Sequence, residues 1–120
     1  MTKKNKVPFY GLSVDGKRIT GSHGTYMPVY DPATDKMIAM VAEASTEDVN
    51  QAVEIAHERF HSNDWKKISA RERGRMLHKA AELIREKVDF LSKIESENGG
   101  KPIRSARSEI NAAADCFEYY

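Results

Sequence analysis

Short β-prone runs separated by turn residues occupy the first 44 residues of the chain. The runs are Tyr10–Val14, Lys17–Ile19, Tyr26–Tyr30 and Met37–Val41. Asp15-Gly16 lies between the first two runs, and Asp-Gly between β-prone runs is a strong hairpin signal. Turn residues around Pro32–Asp35 separate the last two. The pattern therefore predicts two β-hairpins.

Helical periodicity dominates from residue 45 onward. Ser45 or Thr46 is a suitable cap for a first helix, and Ser69 with Glu72 forms a capping box for a second. The second helix is expected to continue or kink near Lys87, while Asn98-Gly99-Gly100 is a stop signal before a last helix. Apolar positions recur at helical spacing throughout. They are Val49, Ala52, Val53, Ala56 and Phe60, then Leu77, Ala80, Ala81, Ile84, Val88 and Leu91, and finally Ala106, Ile110, Ala113, Phe117 and Tyr120.

These patterns predict an α+β fold, with two N-terminal hairpins followed by three or four amphipathic helices and about half of the residues helical. We expect residues 1–44 to form a β-hairpin region and residues 45–120 a helical region. The apolar pattern is still running at Tyr120, and no Gly, Asn or basic last turn closes it. We therefore expect the domain to be incomplete at its C-terminus.

Composition and net charge indicate which kinds of partner and which compartment suit this chain. The chain has 120 residues, is 40% hydrophobic and 31% charged, and carries a net charge of +1. That balance gives no electrostatic argument for a nucleic-acid or membrane partner, and Lys3, Lys4 and Lys6 are interpreted as a solvated tail. The single cysteine and the absence of a secretory apolar stretch in residues 1–12 favour the cytoplasm.

The sharpest local motif is His57-Glu58-Arg59-Phe60-His61, which matches the H-E-x-x-H pattern. On a helix, histidines four residues apart can chelate zinc while the glutamate acts as a general base. A chance match on an ordinary amphipathic helix is the favoured interpretation. Arg59 lies between the histidines, the helix is expected to end just after His61, and no third ligand is apparent.

Cys116 is the only candidate thiol nucleophile. A reactive thiolate needs an electropositive setting, whereas Cys116 follows Asp115 near a helix C-terminus. We therefore interpret it as a bystander cysteine.

The remaining polar candidates are interpreted as surface features. The basic series on the second predicted helix is interleaved with glutamates, which is typical of a solvated face with local ion pairs. That series is Arg71, Arg73, Arg75, Lys79, Arg85 and Lys87. His23 lies in a Gly-rich turn that lacks the spacing of a phosphate loop, and His78 is expected on a helix surface.

The order of several short segments, from about residue 10 to the end, resembles the start of the aldehyde dehydrogenase superfamily. The resembling segments are Val14-Asp15-Gly16-Lys17, Val29-Tyr30-Asp31-Pro32-Ala33-Thr34, Ile38-Ala39-Met40-Val41, Thr46-Glu47-Asp48-Val49, Ala52-Val53, Phe60, Trp65, Glu72-Arg73, Met76-Leu77, Asn98-Gly99-Gly100-Lys101-Pro102 and Phe117-Glu118-Tyr119-Tyr120. Asp35 stands where the family's N-P-A-T-G turn usually has glycine. A left-handed residue at that position would then be an aspartate, which tolerates it moderately well.

The resemblance implies that the chain is the first part of an α/β Rossmann-type nucleotide-binding domain in a homo-oligomeric, NAD- or NADP-dependent aldehyde dehydrogenase. Family members carry the chemistry on P-W-N, Gly-rich, E-L-G-G and G-Q-x-C stretches, and none of these occurs here. We therefore expect no catalytic, cofactor-binding or metal-binding residue in this chain. Alone, it is expected to be inactive and to bind no cofactor, whereas the complete protein would take an aldehyde and NAD(P).

One family feature is carried over in part. Some members bind a monovalent cation through backbone carbonyls before the N-P turn and a carboxylate before G-K-P. The matching positions are Val29, Tyr30 and Asn98. Because neutral Asn98 replaces the carboxylate, we expect no cation there.

Two alternatives stay open from the residues. One is a truncated product or an independent helical interaction module that uses Phe117, Tyr119 and Tyr120 as a partner surface. The other is a zinc hydrolase that uses His57 and His61.

Overall fold

A computed structural model describes residues 7–120, so the predicted tail at Lys3, Lys4 and Lys6 lies outside the described residues. The chain divides into two compact units, residues 1–65 and 66–120. Its strands are β1 (Phe9–Tyr10), β2 (Leu12–Val14), β3 (Lys17–Ile19), β4 (Tyr26–Tyr30) and β5 (Met37–Ala42). Its helices are α1 (Thr46–His61), α2 (Asn63–Lys67), α3 (Ala70–Glu86), α4 (Val88–Gly99) and α5 (Ile103–Tyr119).

Both predicted hairpins are confirmed. β2 and β3 pair antiparallel around Asp15 and Gly16, whose φ angles are 50° and 71°. β4 and β5 pair antiparallel across the turn that begins at Asp31. In that turn the Asp31 carboxylate accepts hydrogen bonds from the Ala33 N–H and the Thr34 hydroxyl, both at 2.8 Å. Asp35 has φ 54°, which confirms the left-handed aspartate expected there.

The run predicted as one strand from Tyr10 to Val14 is broken at Gly11, which corrects that prediction. β1 pairs parallel with β5 in a three-stranded sheet of order β1-β5-β4, whereas β2 belongs to the separate two-stranded sheet. A Cβ on Gly11 would lie 2.4 Å from the Ile19 carbonyl oxygen. The close approach of the backbone therefore requires glycine at this point, where the chain passes between sheets.

The helix starts and stops follow the predicted signals closely. Ser45 caps α1, Ser69 and Glu72 form the capping box of α3, and α3 gives way to α4 at Lys87. Gly100, with φ 68°, closes α4. Residues 7–120 form five helices rather than three or four, because the short α2 follows α1 directly after Ser62. The Ser62 hydroxyl accepts from the Trp65 N–H and so supports that extra turn.

In the second unit, α3 and α4 both pack against α5. The four residues that are fully buried there are all small: Ala81, Ser92, Ala106 and Ala114. The predicted stripe of α3 faces this core. The stripe of α5 is confirmed at Ala106 and Ile110, but its next member is Ala114, which is buried, and not the predicted Ala113, which is exposed. Small side chains allow helix axes to approach closely. No helix within residues 7–120 is long and apolar enough to cross a membrane.

The apolar stripe predicted for α1 is largely exposed. Val49, Val53 and Phe60 are 51%, 62% and 63% exposed, and the half-buried residues of this helix include Ala52 and Ile55. The side of α1 that turns inward carries the buried Asp48 with Ala52 and Ile55, so the buried face is offset from the predicted stripe and that prediction is wrong for Val49, Val53, Ala56 and Phe60.

Candidate functional site

The two motif histidines lie one turn apart at the C-terminal end of α1. The ring centroids of His57 and His61 are 4.4 Å apart, and the ring planes are inclined by 52°. Both side chains are exposed, as is Glu58 between them. The pair therefore faces water rather than a closed catalytic pocket.

The surroundings of the pair differ from those of a zinc hydrolase. Within residues 7–120, no group of three or more His, Cys, Asp or Glu side chains is arranged to hold a metal ion. Arg59 turns away from the histidines, and its Nε and Nη2 atoms donate to the two carboxylate oxygens of Asp15 at 3.1 and 3.2 Å. A catalytic zinc ion usually has three protein ligands, and the motif supplies two histidines.

Cys116 lies in the last part of α5 and is exposed. It lines an open depression of about 220 Å³ together with Leu77, Phe117 and Tyr120. The lining is aliphatic and aromatic. Arg85 reaches α5 from α3, but its positive charge is paired with Asp115 and Glu118. No cationic group in this lining would stabilise a thiolate.

Ion pairs account for part of the basic series on α3. Lys79 pairs with Glu82 at 2.7 Å on the same helix, as the interpretation of a solvated face expects. Arg85 instead reaches α5, where it contacts Asp115 at 2.6 Å and Glu118. That link between helices was not predicted. His78 is exposed on α3, and His23 lies 3.9 Å from Glu47.

The most fully satisfied polar cluster in the first unit surrounds Asp48, which is 7% exposed. Its carboxylate accepts from the backbone N–H of Ser45 at 2.9 Å and from that of Ser22 at 3.0 Å. The Ser22 hydroxyl donates a further bond at 3.2 Å. These hydrogen bonds, first from Ser45 and then from Ser22, hold the pKa of the Asp48 carboxyl below its ordinary value.

Sequence reasoning offered Ser45 as one of two possible caps for the first helix, but it did not pair Ser45 with Asp48 in a capping box, which the structure shows. Ser22 lies 26 residues before Asp48, and nothing in the sequence indicates that pairing. The hydrogen bonds that the structure shows at the Asp48 carboxylate all come from backbone N–H groups or from a serine hydroxyl. The cluster therefore holds the Gly21-Ser22 loop against the start of α1, and it carries no reacting group.

The positions matched to the cation site lie in different units. Val29 and Tyr30 end β4 in the first unit, and Asn98 is an exposed residue near the end of α4 in the second. The absence of a cation there stays a prediction.

The chain is therefore an α+β portion of a domain. Its ordered polar clusters cap helices, stabilise turns and link packed helices. Comparison with known proteins identifies the family. The model of the aldehyde dehydrogenase family matches residues 19–120. An aldehyde dehydrogenase-like protein of Schizosaccharomyces pombe is 39% identical over 120 residues, which is 99% of this chain and 24% of that protein. An aldehyde dehydrogenase of Aspergillus niger is 36% identical over 110 residues, or 92% of this chain and 22% of the relative.

Solved structures agree. A crystal structure of an NAD-dependent aldehyde dehydrogenase from Sinorhizobium meliloti matches with a TM-score of 0.87 and 36% identity, over 92% of this chain and 22% of that one. The NAD⁺ complex of an aldehyde dehydrogenase from Bacillus cereus matches with a TM-score of 0.89 and 31% identity, over 92% and 23%. The chain belongs to the aldehyde dehydrogenase family, as an N-terminal segment.

The chain spans about a quarter of the length of the curated relatives it matches. The predicted fold class is confirmed, because the structural neighbours are aldehyde dehydrogenases with a Rossmann-type fold. None of the comparisons supports the zinc hydrolase alternative.

Proposed function

We propose that the complete protein is an NAD(P)-dependent aldehyde dehydrogenase that oxidises an aldehyde to a carboxylic acid. The observation that carries the proposal is the family match over residues 19–120. The names of two structural neighbours add that one is NAD-dependent and that the other was solved with NAD⁺. In the proposed reaction a cysteine thiolate adds to the aldehyde, hydride passes to NAD(P)⁺, and an activated water hydrolyses the thioester.

In this proposal residues 1–120 are the incomplete N-terminal portion of the catalytic protein, with a β-hairpin region at 1–44 and a helical region at 45–120. None of them is assigned a catalytic, cofactor-binding or metal-binding role in aldehyde oxidation. The exposed Cys116, beside an apolar depression and two paired acidic residues, supports that assignment. The nucleophile is then expected in chain beyond Tyr120, because the relatives are about four times longer.

The direct test extends the reading frame past Tyr120 and expresses the complete protein. We expect aldehyde-dependent formation of NADH or NADPH with at least one member of a panel of aliphatic and aromatic aldehydes. The Cys116→Ala variant should retain kcat within about twofold, since its thiol is not the nucleophile. Complete loss of activity in that variant, or no activity with any aldehyde, would contradict the proposal.

We also propose that His57 and His61 form no zinc hydrolase site. The missing third ligand among residues 7–120 and the water-facing histidines support this. A zinc titration of the complete protein tests it. A stoichiometric, submicromolar zinc complex that His57→Ala abolishes would overturn both this assignment and the role given to the segment.

Assembly and location complete the proposal: a homo-oligomer in the cytoplasm, with no nucleic-acid or membrane partner. The net charge of +1 and the single cysteine of these 120 residues support the location and the lack of nucleic-acid and membrane partners, and the homo-oligomer is what the family resemblance implies. Light scattering of the purified complete protein should give at least twice the monomer mass. Cell fractionation should place the protein in the cytoplasm. A monomeric mass, or recovery with membranes, would contradict these two points.

A further inference from the structure

The histidine pair on α1 has an arrangement that the dehydrogenase activity does not explain. Residues four apart on a helix lie on one face, and here the two imidazole centroids are 4.4 Å apart. Both rings are open to solvent. The helical backbone between them limits how far the two rings can separate, so the two imidazoles stay within reach of one metal ion.

The charges around the pair suit a cation. Arg59, which sequence reasoning counted against a metal, is bound by both its Nε and Nη2 atoms to Asp15. Two carboxylates, Glu54 and Glu58, line an open depression of about 300 Å³ with His57 and Val53. The space beside His57 therefore carries two carboxylates and is open to water, which favours a cation there.

We propose that His57 and His61 form a surface chelate for divalent copper or nickel, with water filling the other coordination positions. Tetragonal nitrogen and oxygen coordination suits Cu²⁺ and Ni²⁺, and for a given set of ligands Cu²⁺ binds most tightly of the first-row divalent ions. Zn²⁺ prefers a tetrahedral site with three or four protein ligands, which this face does not supply. The site is independent of aldehyde oxidation, and it is distinct from the tight zinc centre rejected above.

The test titrates untagged complete protein with Cu²⁺ alone and, separately, with Ni²⁺ and Zn²⁺. All samples carry Cys116→Ser and have their remaining thiols blocked with iodoacetamide, so that no thiol competes for the metal. We compare the parent with His57→Ala, His61→Ala and, as a matched control, His78→Ala, which removes a single exposed histidine from another helix. Because all three histidines are exposed, the substitutions leave the core intact.

Each single variant of the pair should bind Cu²⁺ at least about tenfold more weakly than the parent, since the second imidazole binds as an intramolecular ligand. His78→Ala should match the parent, and electron paramagnetic resonance of the parent should show coupling to two nitrogen nuclei that either variant of the pair reduces to one. Equal Cu²⁺ affinity in His57→Ala or His61→Ala would overturn the chelate. Tighter binding of Zn²⁺ than of Cu²⁺ at the pair would also overturn it. Dehydrogenase activity is not a readout, so the outcome is separate from that of the proposed function.

Discussion

Individual polar residues in this chain act mainly by satisfying backbone donors. Asp31 accepts from Ala33 and Thr34 in a turn, Asp48 accepts from Ser45 and Ser22, and Glu72 accepts from Ser69. In each case the carboxylate replaces water for N–H or O–H groups that the fold leaves without a partner. Among them, Asp48 joins two segments that are far apart in sequence.

Asp48→Asn should lower the thermal midpoint of unfolding by roughly 4–8 °C, the range for a lost cap in a small domain. The amide would place an NH₂ group where a carboxylate oxygen now accepts from Ser45 or Ser22. The measurement is a thermal melt followed by circular dichroism. Glu54→Gln is the matched control, because it removes a charge from the same helix at an exposed position outside the cluster. A midpoint for Asp48→Asn equal to that of the control would contradict the role given to this cluster.

The same cluster predicts a pH dependence. The pKa of Asp48 is lowered in the folded protein from an ordinary value of 3.8, first by the Ser45 N–H and then by the Ser22 N–H. A lowered folded pKa means that the unfolded chain binds the proton more tightly, so the contribution is fully present above about pH 3.8 and is lost as pH falls through the folded value. Melts between neutral pH and pH 2 should therefore show a smaller acid loss for Asp48→Asn than for the parent. Parallel profiles would show that Asp48 titrates alike in both states.

At the scale of elements, the helices of the second unit pack through small side chains. Ala81 on α3, Ser92 on α4, and Ala106 and Ala114 on α5 are fully buried. Arg85 adds a polar link from α3 to Asp115 and Glu118. Lys101, just before α5, contacts Glu95 at 2.7 Å and Glu109 at 2.6 Å. The ion pairs lie at the surface and orient the helices, while the small residues determine how closely the helices approach.

Ala106→Leu should reduce the free energy of unfolding by about 1–3 kcal/mol, because added methyl groups in a fully packed contact force the helices apart. Ala113→Leu changes the same residue type on the same helix at an exposed position, and it should alter stability by about 0.5 kcal/mol or less. Urea unfolding of both variants measures the difference. Equal effects would mean that the contact made by α5 tolerates repacking, contrary to the burial of Ala106.

At the scale of the whole molecule, large apolar side chains remain uncovered in each unit. Val53 and Phe60 on α1 are 62% and 63% exposed, and Tyr119 and Tyr120 at the end of the chain are 83% and 84% exposed. Contiguous exposed apolar surface commonly marks a binding interface. Within the proposed function, the rest of the dehydrogenase would cover Tyr119 and Tyr120 at the end of the chain.

The chain of residues 1–120 by itself should therefore be marginally stable or self-associating, and it should neither oxidise aldehydes nor bind NAD(P). Each aromatic side chain left wet forgoes about 1.5–3 kcal/mol of burial, against a typical total margin of about 5–15 kcal/mol. Thermal melts at several concentrations, light scattering and an NADH assay of this chain test the prediction. A sharp melt of a monomer that does not depend on concentration would favour an independent interaction module. Aldehyde-dependent NADH formation that Cys116→Ala abolishes would refute the inactivity.

Local chemistry in the sequence determined most of the elements and their ends. Ser45, Ser69 and Gly100 bound the helices where capping rules place them, and Asp15-Gly16 closes a hairpin as expected. These features depend on a few neighbouring residues, so a single sequence contains the information. The order of the family segments likewise sufficed to indicate the family, while the absence of its chemistry motifs led us to expect no site residues here.

Only the tertiary structure decided the features that join distant parts of the chain. The parallel pairing of β1 with β5, the bond from Ser22 to Asp48 and the exposure of the α1 stripe depend on how segments meet in space. Helical periodicity gives the direction of an apolar face, but burial depends on whether a partner is present to cover it. The structure also paired Arg59 with Asp15, so that its charge is matched by a carboxylate. The sequence shows that Arg59 lies between His57 and His61. Only the structure shows that its side chain binds Asp15, in the turn between β2 and β3.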